Sequence, residues 1–458
     1  MPELAGGQQS ADAAPPPQTH TYPHTHTNTH TNTDADAHTN ADTHTSTSTH
    51  IVTHTDSDDA GEGERVPEAR SSAEVPREGV VTGSWWWPAF RSALAAWLFA
   101  HIVIVTIQDL GQRATPYFSA QMPGRPPIHE LFNQLYTWDT AWYLGIAQTG
   151  YSGVASDGVR FWPLLPLVTR GVSATGIPAA AAVLLVCWVG AVLFGMLMYR
   201  LMLTVGGDEV AARRAVWLSQ LAPGAFVLAM GYTEALSGVL AAGFLIAIRQ
   251  SAASRRAWAW HAVGFVCGLG SGLVRPTGLL LAAPGGIEVL RQRRDPAAQL
   301  LARVLIALSP LLGTGLFLLW SHTVYGNWTL PYSIQKLEGL RGTYAQNPLT
   351  SALDSLNQVG NGAGAFTVVL VVASLGLLWG CVRRLPFSFT VWAALSLLAA
   401  ITAPHFSSFA RYVSGILPLI LVAAMLTRGR RQWGWVLGSC TALCAYFAYQ
   451  SFIGIYVP

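Results

Sequence analysis

The densest group of reactive side chains lies in Tyr136-Thr-Trp-Asp-Thr-Ala-Trp-Tyr-Leu-Gly-Ile-Ala-Gln-Thr-Gly-Tyr151. On a helix, Trp138 and Trp142 fall four apart, as do Asp139 and Tyr143. That spacing predicts an interfacial amphipathic helix with an aromatic face at headgroup depth. Asp139 is the only acid of the segment. Partial desolvation among the rings makes a carboxylate a better proton acceptor, which suits a general base for a hydroxyl proton. The alternative is that Asp139 caps the following helix at its N-terminus. A second segment, Arg160-Phe-Trp-Pro-Leu-Leu-Pro-Leu-Val-Thr-Arg170, has two prolines three apart. They break an ordinary membrane span, so a short helix on the exterior surface is expected, either as a plain structural break or as a substrate contact.

The elements that must position these residues follow from composition. The chain has 458 residues, of which 51% are hydrophobic and 11% charged, against about 25% charged in ordinary soluble domains. Charge is divided unevenly. Residues 1–80 hold 13 Asp/Glu and 3 Arg, and the remainder 24 Lys/Arg and 11 Asp/Glu. A soluble enzyme is thereby excluded, and a nucleic-acid binder disfavoured. Residues 1–84 are expected to be a disordered, cytoplasmic tail rich in Thr and His, with too little apolar surface to offset its ordering entropy. Eight of the 13 histidines lie there. Loose transition-metal binding is one reading of them, and a solvated tail the other. No basic region followed by an apolar core marks a signal peptide.

From Trp85 onward, apolar stretches near 20 residues recur, each long enough to cross roughly 30 Å of hydrocarbon. Spans are expected at 88–108, 178–203, 211–229, 234–250, 259–275, 276–290, 299–322, 363–381, 386–403, 410–427 and 433–454. Pro276 leaves open whether 259–290 is one kinked helix or two. With the amino terminus inside, 16 of the 24 basic residues after residue 80 fall in or beside short interior loops, among them Arg213, Arg214, Arg255, Arg256, Arg430 and Arg431. This satisfies the positive-inside rule. The expected fold is therefore an all-α polytopic membrane protein of about 11 transmembrane helices. It has a large first exterior loop at 109–177 and a second at 323–362. Tyr232–Glu234, the turn at Arg275–Gly278 and His405–Tyr412 fall on the same exterior side. Charges gathered at one face of the apolar boundary mark a functional site.

Several of these segments, in order, resemble the PIG-V-type mannosyltransferases. They are Trp138-Asp139…Trp142-Tyr143-Leu144…Ile146-Ala147…Gly150-Tyr151, Phe161-Trp-Pro-Leu-Leu-Pro166, Gly231-Tyr-Thr-Glu-Ala235, Leu273-Val-Arg-Pro-Thr-Gly278 and Phe409-Ala-Arg-Tyr412…Pro418. The resemblance covers about residues 85–455 and excludes the tail. Abundant Ala, Arg and Gly with a single lysine, Lys336, goes with a GC-rich bacterial genome, and the resemblance is to an actinobacterial-type homologue. The family's aromatic at the fifth place of Phe-Phe-Pro-Leu-Tyr-Pro is Leu165 here, so one phenolic hydroxyl is missing. In eukaryotes the family adds the second mannose of GPI anchors, an acceptor that a bacterium lacks.

The resemblance implies a GT-C-type glycosyltransferase in the cell membrane, with its active site on the exterior face and a polyprenyl-phosphate mannose as donor. The acceptor would be a glycolipid or glycan hydroxyl. Asp139 occupies the place of the catalytic aspartate. Arg275 and Arg411 are candidates for the donor phosphate, since a guanidinium stabilises growing phosphate charge. The alternatives are an internal salt bridge to Glu234 for Arg275, and snorkelling to the interface for Arg411. Trp138, Trp142, Tyr143, Tyr232, Glu234 and Tyr412 are candidate substrate contacts. Glu234 either orients the sugar or acceptor or belongs to an N-cap through Thr233. Tyr325, Asn327, Trp328 and Gln335 suit either sugar stacking or an aromatic belt, and His322 and His405 are read as interfacial polar residues. No cofactor or metal is expected, because a lipid-phosphate donor lacks the diphosphate that a metal clamps. The Asp34-Ala-Asp36 pattern is low-complexity coincidence. The five cysteines form no framework or metal spacing and read as small buried hydrophobes. Rival readings are a transporter or lipid flippase, which would show paired broken helices in two halves; a non-enzymatic scaffold; and a protein O-mannosyltransferase, which would normally carry Asp-Glu where this chain has Asp139-Thr140.

Overall fold

The computed structural model describes residues 84–114, 134–253, 257–337, 345–357, 363–406 and 408–454. The expected tail up to residue 83, and parts of both exterior loops, lie outside the described residues. The chain divides into two units, Met1–Pro76 and Arg77–Pro458, and all described residues belong to the second.

Those residues are helical, without a strand among them. In order they form α1 (Trp86–Ala114), α2 (Asp139–Thr149), α3 (Leu164–Ser173), α4 (Ala179–Thr204), α5 (Glu209–Leu221), α6 (Glu234–Ala253), α7 (Ala257–Val274) and α8 (Ala282–Arg291). Then follow α9 (Ala297–Tyr325), α10 (Leu330–Ser333), α11 (Pro348–Asn357), α12 (Ala363–Arg384), α13 (Phe387–Ile401), α14 (Phe409–Ser414), α15 (Leu417–Leu426) and α16 (Arg430–Phe452). Local chemistry sets many ends. Pro178, Pro296 and Pro386 stand immediately before α4, α9 and α13, where a missing N–H costs nothing. The Asp208 carboxylate caps α5 by accepting from Ala211 N at 2.7 Å. Gly326 closes α9 in the left-handed conformation.

Five helices are long and apolar enough to cross a membrane: Trp86–Arg113, Ala179–Thr204, Ala257–Val274, Ala297–Tyr325 and Gly364–Arg384. Phe387–Ile401 and Leu417–Leu426 are shorter apolar helices. Ile102, Val266, Leu301, Val369 and Val372 project well exposed from the long ones. Such a surface is costly in water and natural in lipid. In lipid, helix association rests on close packing rather than on transfer out of water. That packing runs from α1 to α4, α4 to α6, α6 to α7 and α7 to α9, with α5 against α1 and α4, and α16 against α1 and α5.

The open question of 259–290 is answered, and two expected spans are interrupted. The stretch 259–290 is two segments, α7 and a 3-10 turn leading into α8, with Arg275 in extended backbone between them. The stretch 211–229 stops at Leu221 and resumes as a 3-10 turn at Ala225–Ala229, because Pro223 lacks the N–H a continuing helix needs. The stretch 410–427 is divided at Gly415 and Ile416 into α14 and α15. Each break stands next to a residue of the site described below.

Candidate active site

Four distant segments meet at helix ends. α2 begins with Asp139, α6 begins with Glu234, α7 gives way at Arg275, and α14 carries Arg411. Both acids stand in the first turn of their helices, where the partial positive charge of the helix N-terminus favours a carboxylate. Arg411 is the hub. Its Nη1 donates to Asp139 Oδ2 at 2.9 Å, and its Nε lies 3.1 Å from Glu234 Oε1. Arg275 Nη2 donates to that same Oε1 at 3.1 Å. Two guanidiniums and two carboxylates thus form a balanced chain. The side chains of Glu234, Arg411 and Arg275 are 7%, 10% and 11% exposed, and that of Asp139 is 27% exposed. Asp139 is therefore the member open to an incoming group.

Phenol rings wall the chain. The Arg411 guanidinium lies 5.3 Å from the Tyr232 ring and 5.0 Å from the Tyr412 ring, and Arg275 lies 5.6 Å from Tyr412. Arg411 Nη2 also donates to Tyr412 Oη at 3.4 Å. The Asp139 N–H donates to Tyr232 Oη at 3.2 Å. Burial pushes the Tyr232 phenol well above its ordinary value; the Asp139 carboxylate adds to this and Arg411 opposes it. Burial does the same to Tyr143, with the Asp139 and Glu234 carboxylates adding.

The capping alternative for Asp139 is not realised. Trp138 holds the N-cap position of α2 with φ 57° and no side-chain cap hydrogen bond, while the Asp139 carboxylate turns to Arg411. A non-glycine residue at positive φ costs about 1–3 kcal/mol and persists only where its surroundings hold it. The Trp138 indole donates to the Ser451 carbonyl at 3.2 Å. Trp138 is thus outside the helix, which corrects the expectation of one aromatic face shared with Trp142. Trp142 instead stacks on Phe161 at 5.3 Å, with the Arg160 guanidinium 5.6 Å from its ring. For Arg275, the internal salt bridge to Glu234 is the arrangement observed.

Several positioning contacts carried no mark in the sequence. An ideal Cβ on Gly224 would stand 2.2 Å from the Ala410 carbonyl oxygen and 2.4 Å from the Arg411 nitrogen. Gly224 N donates to Ser414 Oγ at 3.0 Å. A Cβ on Gly231 would stand 2.4 Å from Thr140 Cγ2, so the start of α2 seats directly on the strand of chain that leads to Glu234. Arg170 donates to the carbonyls of Ala147 and Ile146 at 2.8 and 3.2 Å, closing the C-terminus of α2. The Cys187 thiol, buried as expected, donates to the Tyr232 carbonyl at 3.3 Å. Pro276 marked the break after α7 in the sequence, but nothing in one sequence marks which glycine must meet which backbone.

Behind Glu234 lies a cavity of about 20 Å³ lined by Glu234, Ser237, Arg275, Arg411 and Ser414 among others, room for about one water. Glu234 Oε2 is buried and makes no hydrogen bond there. The second-loop candidates make the following contacts. Trp328 stacks on His322 at 4.5 Å, Tyr325 packs edge-on to Trp320, and Asn327 Oδ1 closes a turn by accepting from Thr329 N. The His405 side chain is outside the described residues. Among the described residues, no three of His, Cys, Asp and Glu gather as a metal site.

No protein-family model matches the chain, and no curated protein does. Among solved structures it is similar to the oligosaccharyltransferase of Archaeoglobus fulgidus in the apo form, at 13% identity and a TM-score of 0.42, covering 80% of this chain and 56% of that one. It is likewise similar to AglB from Archaeoglobus fulgidus in complex with an inhibitory peptide and a dolichol-phosphate, at 13% identity and a TM-score of 0.41, again with 80% and 56% covered. The chain spans little more than half the length of the structures it matches.

Proposed function

We propose that the chain is a GT-C-type membrane glycosyltransferase of the PIG-V type, an actinobacterial-type homologue. It transfers a mannosyl residue from a polyprenyl-phosphate mannose to a hydroxyl of a lipid-linked or glycan acceptor. The observation that carries this reading is the Asp139–Arg411–Glu234–Arg275 chain: a base open to solvent, coupled to two buried guanidiniums where apolar helices end. In the proposed topology of eleven spans the amino terminus is cytoplasmic and the site faces the exterior. The donor's lipid chain lies in the bilayer and brings its phosphate to that depth.

In the transfer, the acceptor oxygen attacks the anomeric carbon on the side opposite the phosphate. A new C–O bond forms as the bond from that carbon to the phosphate oxygen breaks. The hydroxyl proton passes to Asp139. The departing lipid phosphate gains negative charge, which Arg411 and Arg275 stabilise. Glu234, which grips both guanidiniums through a single oxygen, positions them. Tyr232 and Tyr412 hold the guanidiniums from the sides, and Trp142 and Tyr143 border the sugar.

The test is transfer of radiolabelled mannose from a polyprenyl-phosphate donor in inverted and right-side-out vesicles. The native chain is compared with Asp139→Asn at matched expression. Transfer confined to the exterior face and reduced about 10²–10⁴-fold in the variant is expected. Full transfer in Asp139→Asn would remove the base, and no transfer by either protein would remove the donor.

A further inference from the structure

At the helix ends remote from Asp139, α5 and α16 leave a groove of about 190 Å³ lined by Val210, Arg213, Arg214, Trp217 and Trp433. α16 runs from this groove at Trp433 to Ser451, whose carbonyl takes the Trp138 indole, a length of roughly 27 Å. Val210, Arg213, Arg214 and Trp217 recur at the spacing of one helix face, and Trp433 in the first turn of α16 stands opposite. The Arg214 guanidinium lies 5.6 Å from the Trp433 ring and donates to the Thr427 carbonyl. Arg213 pairs with Glu209 at 2.9 Å, both well exposed, a kind of pair worth little and open to displacement by a stronger anion.

Charge and surface each point to one occupant. Arg428, Arg430 and Arg431 are exposed at the start of α16, where the helix already presents partial positive charge. With Arg213 and Arg214 they outnumber Asp208 and Glu209, and Asp208 is engaged as a cap. Like charges gathered in this way call for an anion. Trp217 packs on Phe99 of α1 with ring centroids 5.8 Å apart. Phe99 is exposed on a helix long enough to cross the membrane. The groove therefore leads from guanidiniums directly onto lipid-facing surface.

We propose that the groove between α5 and α16 binds an anionic phospholipid, its phosphate on Arg213 and Arg214 and its acyl chain along Trp217 and Phe99. A free anion would make no use of the Trp217–Phe99 surface, and a zwitterionic lipid would bring its own cation to the arginines. Basic pockets between membrane helices hold anionic headgroups by this chemistry.

The test is native mass spectrometry of the full chain released from detergent, with palmitoyl-oleoyl phosphatidylglycerol and phosphatidylcholine as equal-concentration probes and inorganic phosphate as competitor. Phosphatidylglycerol is expected to be retained in preference. Its affinity should fall about fivefold in Arg213→Gln and further in Val210→Asp, which sets a carboxylate in the groove from an exposed position. Arg383→Gln, at another helix end, should bind as the native chain does. Equal retention of both lipids, an equal loss in Arg383→Gln, unchanged binding in Arg213→Gln and Val210→Asp, or displacement by phosphate at the lipid's own concentration would overturn the proposal.

Discussion

Arg411 Nη1 and Asp139 Oδ2 stand 2.9 Å apart across 272 residues of chain, so the carboxylate proposed to take a proton is held by a guanidinium proposed to take a phosphate. That ion pair engages Oδ2 alone of the two carboxylate oxygens. In the proposed reaction, a donor phosphate arriving on Arg411 competes with Asp139 for that guanidinium and frees the second oxygen, which makes donor binding the step that readies the base. Initial-rate kinetics should then show donor binding ahead of acceptor. Lysine at this place keeps the charge but has no planar fork to span Asp139 and Glu234 together. Arg411→Lys should lower kcat about 10- to 100-fold, the loss expected for charge-assisted hydrogen bonds worth 1.5–3 kcal/mol. Random-order kinetics with an unimpaired lysine variant would show that the pair is only structural.

Gly224 sets how closely the chain before α6 approaches α14. A methyl group there would fall 2.2 Å from the Ala410 oxygen, and backbone cannot yield as a side-chain tip can. Gly224→Ala should destabilise the fold by about 1–3 kcal/mol and displace Arg411, so that donor KM rises as kcat falls. Gly434→Ala, where nothing lies within 4 Å of the added carbon, is the control. Thermal melting in detergent alongside donor titration checks both effects, and equal behaviour of the two variants would dismiss the close approach.

The charged members of the site were legible because each interrupts apolar sequence. Asp139, Glu234, Arg275 and Arg411 stand at boundaries where burial without a partner is expensive, so each had to find an opposite charge. The pairing was only partly legible: Glu234 stood as one of two readings for Arg275, whereas the bonds of Arg411 to Asp139 and Glu234 were not read. Whether Arg275 takes Glu234, a phosphate or solvent depends on how α6, α7 and α14 end, and those ends are set by packing over hundreds of residues. The same holds for Trp138. Spacing places it on the face of Trp142, but its positive φ turns it to Ser451, a contact with the far end of the chain. The helical character was readable from hydropathy alone, whereas the breaks at Pro223 and Gly415 divide stretches whose apolar composition reads as continuous.

Arg170 is expected to act on the reaction without touching a substrate. It closes the C-terminus of α2 through two carbonyls, and α2 carries Asp139 at its other end. A cation at a helix C-terminus contributes up to about 2 kcal/mol when partly buried. Arg170→Met should therefore loosen α2 and lower kcat about tenfold, with donor KM unchanged because the guanidiniums just after α7 and on α14 are untouched. Arg170→Lys should recover part of the rate. A rise in donor KM equal to the fall in kcat would instead place Arg170 on the substrate.

The phenols beside Asp139 give a pH dependence of definite sign. Burial and the nearby carboxylates hold Tyr143 above its ordinary value of 10.0, and Tyr232 is held well above the same value. Tyr136 is pushed up to about 12 by burial. In each case the folded state prefers the neutral phenol more strongly than the unfolded chain does. The stability from this preference is complete below pH 10 and is lost as pH rises beyond it, at about 1.4 kcal/mol per pH unit for each phenol that ionises on unfolding. Melting temperature should fall steeply above pH 10, where the share carried by these phenols sets in. Tyr143→Phe should flatten the fall and leave the pH–rate profile below pH 10 as it was. A native rate limb between pH 7 and 9 that disappears in Tyr143→Phe would mean that this phenol ionises far more readily than its burial permits. It would then also compete with Asp139 as the base.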